Sequence, residues 1–232
     1  MKRTPLATSL VLLLICFSAN AQSGVDLGSV QDGTYVNSHF EFKFTYPKGW
    51  TVHGKETDER MRELGTEMAA NSGAGTKESI EVALKSTYSL LTVFRHPIGT
   101  PGITTNPAIL IIAEKVSHAP GIKNGKDYLL NVRELMKRTG AQILSDEPKE
   151  LTLAGKQFFR DDFVVDINGV KITQNYYAHV MKGYALVFLF MGENQKTVDE
   201  MAKSMDTLEA TLPQVRRGVT TVQGQAAPKP KP

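Results

Sequence analysis

The sequence predicts an α+β domain layered around a mostly antiparallel sheet. Three stretches predict it. Phe40 to Tyr46 alternates strictly, with Phe40, Phe42, Phe44 and Tyr46 on one side and Glu41, Lys43 and Thr45 on the other, the period of a strand with one buried face. Asn168-Gly169 lies between two alternating runs and marks a tight hairpin, because both residues accept positive φ. Tyr184 to Met191 is apolar on both faces, so that strand requires cover on both sides of its sheet, which helices are expected to supply.

A two-residue turn at 168–169 sets the register of the long hairpin. Ile167 then faces Val170, Val165 faces Ile172, Phe163 faces Gln174, Asp161 faces Tyr176 and Phe159 faces Ala178, which gives one mainly apolar face. The opposite face pairs Asp166 with Lys171 and Arg160 with Tyr177, suited to charge and cation–π contacts. Lys182-Gly183 marks a second hairpin into the strand from Tyr184.

The remaining elements follow from local pattern. Pro47-Lys48-Gly49 makes a turn, and Trp50 opens a short strand that would form a first hairpin with Phe40–Tyr46. Lys55 to Ala70 has helical spacing through Met61, Leu64 and Met68; Asn71 to Lys77 is a glycine-bearing loop, and a short helix is expected near Glu78 to Lys85. Tyr88 to Phe94 and Ala108 to Val116 are strands. Lys126 to Thr139 is a helix with the stripe Tyr128, Leu129, Val132, Leu135 and Met136, closed by Gly140. Gln195 to Glu209 is the last helix, with Val198, Met201, Ala202, Met205 and Leu208 in 3–4 spacing.

The ends of the chain differ from this domain. Lys2 and Arg3 precede the apolar run Leu10 to Phe17, and Ala19-Asn20-Ala21 follows as a small-x-small site, the order of a cleaved secretion signal over 1–21. Cys16, the sole cysteine, lies within that run, so the mature domain carries no thiol and is held by its core alone. Residues 22–33 are polar and glycine-bearing, expected as a flexible lead-in, and a single domain is expected over 34–212. Residues 213–232 end in Ala-Ala-Pro-Lys-Pro-Lys-Pro and are expected as a disordered tail. Setting aside Lys2, Arg3 and the tail's Arg216, Arg217, Lys229 and Lys231 leaves 21 basic against 24 acidic residues. A domain of net −3 offers no basic face to nucleic acid.

The run Tyr35-x(4)-Phe40-x-Phe42-x-Phe44-x-Tyr46-Pro47-x-Gly49-Trp50, together with the late hairpin, the strand Tyr184 to Phe190 and a C-terminal helix, resembles PsbP-like proteins over roughly Thr34 to Leu212. The resemblance implies an α/β/α sandwich with an antiparallel central sheet. It also implies an adaptor or assembly role more often than an enzymatic one. It transfers no functional residue.

The candidate ligand-binding residues are Asp161, Gln174 and Tyr176, which the register gathers on the apolar face. Buried polar groups find partners, so the expected arrangement is a self-satisfied trio with Tyr176 donating to Asp161; a small ligand or cation is the sharper alternative. Asp162, Asn175 and His179 lie on the other face. His179 pairs with Phe158, four residues from Asp162, and the strand rise separates the two by over ~10 Å, too far to share an ion. His96 and His118 are expected at opposite ends of the sheet, whereas His39 and His53 flank the first hairpin and approach each other. No H-E-x-x-H, G-x-S-x-G or phosphate-loop spacing is present; Asn71 to Lys77 fails the last. Neither a cofactor nor a metal centre nor a catalytic residue is expected. The resulting expectation is an exported, non-enzymatic binding or assembly protein of the cell envelope, secreted or periplasmic, without a membrane span, that meets a protein partner through a sheet edge or the loops Asn71 to Lys77 and His96 to Thr105. The alternative is an extracytoplasmic metal-dependent or hydrolytic enzyme built on the trio Asp161, Gln174 and Tyr176 and the acidic hairpin, Asp161, Asp162 and Asp166.

Overall fold

Tight turns organise the chain into antiparallel ladders. A computed structural model describes residues 25–54, 59, 78, 85–167 and 169–211. The expected secretion signal, the tail, the loop Asn71 to Lys77 and nearly all of the two helices expected over 55–85 lie outside the described residues. Twelve strands form two sheets among them. A small sheet has the order β1 (Ser29–Gln31), β2 (Thr34–Asn37), β3 (Phe42–Thr45), β12 (Glu209–Ala210). The large sheet has the order β4 (Thr51–Val52), β5 (Thr87–Phe94), β6 (Ala108–Lys115), β11 (Tyr184–Gly192), β10 (Val170–Met181), β9 (Lys156–Ile167), β7 (Gln142–Ile143), with β8 (Lys149–Leu153) also paired to β9. Every recorded pairing is antiparallel. The fold class is therefore the α+β arrangement that the sequence predicts.

The long hairpin has the predicted register. Ile167 pairs Val170, Phe163 pairs Gln174, Asp161 pairs Tyr176 and Ala178 pairs Phe159. Lys182 and Gly183 both take left-handed φ (52° and 79°) and turn β10 into β11, with Met181 opposite Tyr184. The strand β11 is buried from Ala185 to Met191, which accounts for its lack of alternation.

Two cores flank the large sheet. On one side α1 (Gly125–Arg138) packs Tyr128, Leu129, Val132 and Met136 against Leu110, Ile112, Phe163, Tyr176, Val187 and Leu189. Asn124 caps α1: its side chain accepts from the Asp127 amide, and the Asp127 carboxylate takes amides 123 and 124, a reciprocal capping box. On the other side the small sheet and α2 (Gln195–Ala202) bring Phe40, Phe42, Phe44, Val198 and Met201 against Ile109, Ile111, Phe188 and Phe190. The second cover is thus a sheet and a helix together, where helices alone are expected from sequence.

Four other expectations are corrected. The lead-in over 22–33 contains β1, hairpinned to β2 through left-handed Asp32 and Gly33 (φ 49° and 77°). Phe40–Tyr46 and Trp50 do not form a hairpin, since β3 pairs within the small sheet and β4 pairs β5 in the large one. His39 and His53 accordingly lie at opposite ends of the large sheet: His39 meets Tyr184 at the start of β11, and His53 meets Phe94 in the row of Met191. Finally, α2 stops at Ala202. A 3-10 helix (Lys203–Thr207) follows, and the chain turns extended at Leu208 so that β12 can pair β3 while Met205 and Leu208 stay buried. His96 and His118 do fall at opposite ends, as β5 ends opposite the start of β6.

Two points fasten α1 to the sheet. Gly125 lies against β10, and a Cβ there would overlap the Ala178 carbonyl. We predict that Gly125→Ala costs about 1–3 kcal/mol in urea denaturation, whereas Gly121→Ala, with open space around it, costs far less. Tyr128 donates to Glu114 Oε2 (2.8 Å). Burial pushes the Glu114 carboxyl above its ordinary 4.5, against the hydrogen bonds from Tyr128 and Ser86. A raised folded value means that stability from this group is present in acid and is lost as pH rises from 4.5 through the folded value. Stability measured against pH should therefore fall over that window in the parent and stay flatter in Glu114→Gln, with the variant the more stable at pH ~8.

Candidate functional site

The period of β9 divides its polar side chains between the two cores. Asp161 points to the α1 side, and Arg160 and Asp162 point to the other. Asp161, Gln174 and Tyr176 share the α1 face, as their register requires, and each is about 1% exposed or less. Their hydrogen bonding is not the expected closed trio. The Tyr176 hydroxyl donates to Gln174 Oε1 (3.0 Å), and Gln174 Nε2 lies 3.7 Å from the Met191 sulfur.

Asp161 instead meets Arg133 of α1. Arg133 Nε donates to Oδ2 (2.6 Å) and Nη2 to Oδ1 (3.0 Å), a bidentate pair. The Ser145 hydroxyl and the Asp162 amide add bonds to Oδ1 (2.7 and 3.0 Å). The rest of the guanidinium donates to the carbonyls of Ser145 (2.8 Å) and Asp146 (2.7 Å). The pair thus ties α1, the chain after β7 and β9 together. Sequence reading missed Arg133, although it stands four residues after Leu129 and three before Met136 on the buried stripe.

On the opposite face an open recess of about 480 Å3 lies between α2 and the outer strands, lined by Lys149, Arg160, Asp162, Tyr177, Asp199, Ala202, Lys203 and Asp206. Arg160 forms its floor. It donates to Asp162 Oδ1 (2.8 Å) and Asp199 Oδ1 (2.8 Å), and its guanidinium lies 5.5 Å from the Tyr177 ring centre. The Asn175 amide, oriented to match its neighbours, accepts from Arg160 Nη2 (2.8 Å) and donates to Asp162 Oδ1 (3.2 Å). Burial acts against the Arg160 charge, but Asp162, Tyr177 and Asp199 hold its pKa above the ordinary value. Burial raises the Asp162 carboxyl in spite of Arg160. Burial would raise Asp199 too; there the hydrogen bonds from Arg160 and Gln195 prevail and hold it low. On the rim, Lys149, Lys203 and Asp206 are exposed and form no ion pair among the described residues.

The other candidate groups do not converge. Asp166 bonds the Gly169 amide (2.8 Å) at the exposed end of the hairpin, far along β9 from Asp161 and Asp162. His179 sits on Phe158, with Nδ1 2.8 Å from the Gln157 carbonyl. Asn106 braces the His96–Thr105 loop by bonding both the amide (3.1 Å) and the carbonyl (2.7 Å) of His96. Among the described residues no group of three or more His, Cys, Asp or Glu could hold a metal ion.

No family model and no curated protein matches the chain. Similar solved structures include cyanobacterial PsbP (CyanoP) from Synechocystis, 11% identical, covering 82% of this chain and 98% of that one with a TM-score of 0.44. Another is LpqN, involved in cell envelope biogenesis of Mycobacterium tuberculosis, 13% identical, covering 74% and 83% with a TM-score of 0.39. A third is a Pseudomonas aeruginosa protein of unknown function and putative regulator, 11% identical, covering 52% and 78% with a TM-score of 0.37.

Breaking a buried ion pair leaves an uncompensated charge. Arg133→Met should cost about 3–5 kcal/mol in urea denaturation, and adding Asp161→Leu to it should recover most of that loss.

Proposed function

We propose that this chain is exported and acts outside the cytoplasm as a non-enzymatic binding or assembly protein, with the recess beside α2 as its contact surface. The three-part order of residues 1–21 supports export. No helix among the described residues is long and apolar enough to cross a membrane.

The observation that carries the binding role is the contrast between floor and rim. Arg160 is fixed by two carboxylates and an aromatic ring, so the floor is a rigid, permanently charged platform. Lys149, Lys203 and Asp206 stand above it and form no ion pair among the described residues. Recognition requires such preorganised charge with free partners at the edge. A general base instead exchanges a proton near neutrality; the guanidinium and the low-held Asp199 are poorly placed to do so, and Asp162, which burial raises, is engaged by Arg160. In this reading Asp161, Gln174 and Tyr176 hold β9 and β10 in place behind the recess, and their contact with a ligand is not required.

Two measurements test the proposal. Mass spectrometry of the extracytoplasmic fraction should find a mature chain that begins at Gln22; a full-length cytoplasmic chain would overturn export. A photo-crosslinking residue at Lys203 should give one discrete adduct in the envelope fraction, lost in Lys149→Glu, while the same residue at Lys137 on α1 gives none. Equal adducts from both positions would remove the recess as the contact surface.

A further inference from the structure

A second polar cluster lies along β9 from the recess, about 13 Å from Arg160 by the strand rise, with Phe158 between them. Three turns meet there. The Ala154-Gly155 turn leads into Lys156, β10 ends at Met181 and turns at Lys182, and the chain before β3 crosses over both. Four basic groups gather at this end: Lys156, Lys182, His39 and His179. Two carboxylates act on them: Asp26, which acts on His39 and takes the Gly28 and Ser38 amides (2.9 and 3.3 Å), and Glu41.

Glu41 is already engaged. Lys182 Nζ donates to Glu41 Oε1 (2.6 Å) and to the His39 carbonyl (2.7 Å). Glu41 takes a left-handed φ of 57°, a costly conformation for a non-glycine residue, held by this ion pair and by the Thr211 amide on its carbonyl (3.0 Å). Lys156 has no such partner among the described residues. Its Nζ lies 3.3 Å from the Phe40 carbonyl and 4.0 Å from the Met181 sulfur, long contacts for an ammonium with three protons to place. His39, which precedes Phe40 in the chain, has a buried Nε2 with no hydrogen-bond partner among the described residues.

We propose that this end of the sheet binds a small soluble oxyanion, a carboxylate or a phosphate- or sulfate-like group, at Lys156, with Lys182 as the fixed positive wall behind it. The anion supplies the charge-assisted bond that Lys156 does not make among the described residues. The titration behaviour agrees. Burial pushes the Lys156 ammonium below its ordinary value, and Lys182 adds to this against the attraction of Glu41. Burial also lowers His39, with Lys182 adding to it against Asp26 and Glu41, and burial lowers His179, with Lys156 adding to it against the bond to Gln157. Both imidazoles therefore gain charge only below their ordinary 6.5, and the site becomes more positive in acid.

The test is a titration of the mature chain with sodium sulfate at constant ionic strength, read from backbone amide shifts in NMR spectra. Sulfate keeps its double charge from pH 5 to pH 8, so pH acts on the protein alone. Saturable shifts are expected at residues 39–41, 155–156 and 181–183, with binding tighter at pH 5. Lys156→Met should weaken it about tenfold, as loss of one charge-assisted bond does; Lys156→Arg should retain it, which separates lost charge from lost fold. A parallel acetate titration tells a carboxylate site from a tetrahedral one. Shifts that never saturate with either anion, or a Lys156→Met variant that titrates like the parent, would overturn the proposal.

Discussion

The register between β9 and β10 decides what this molecule can do. Antiparallel strands alternate their side chains between faces, so a slip of one residue would exchange Asp161 for Arg160 and Asp162 in both cores. With Asp161 opposite Tyr176, its carboxylate meets Arg133 on the helix side, and Arg160 meets Asp162, Asp199 and Tyr177 on the other. One strand thus serves as structural anchor on one face and as charged platform on the other. Neighbouring residues divide these roles by the pleat alone.

The two polar systems differ because their surroundings differ. Arg133 and Asp161 are sealed between a helix and a sheet. The pair joins α1 to β9 and to the chain after β7, and so fixes how α1 sits. Arg160 lies where α2 ends its cover of the sheet, so its network stays half-open to solvent. The Lys156 end is of a third kind: Lys182 is satisfied by Glu41, whereas Lys156 is left with long contacts only. Binding chemistry is assigned where charge remains unspent, at the rim of the recess and at Lys156.

Much of this was legible in the sequence, for identifiable reasons. Turn chemistry at 168–169 and 182–183 agreed with two alternating faces, and local and long-range signals then fixed one register. The capped, striped α1 was equally clear. Asp32-Gly33 carries the same hairpin signal, but the polar residues around it hide the short strands it joins. The Ala154-Gly155 turn carries no such signal in its first residue. Splitting of Phe40–Tyr46 and Trp50 between two sheets depends on which edges are free to pair, which no local pattern records. Arg133 escaped notice for a related reason: a cation on an apolar stripe implies a buried partner, but only the packing of α1 on β9 names it.

Interstrand proton contacts between β9 and β10, measured by NMR in solution, bear most directly on this picture. Contacts that place Asp161 opposite Tyr176 and Phe163 opposite Gln174 are predicted. Contacts that place Asp161 opposite Asn175 or Tyr177 would reverse the two faces and contradict both the anchor and the platform.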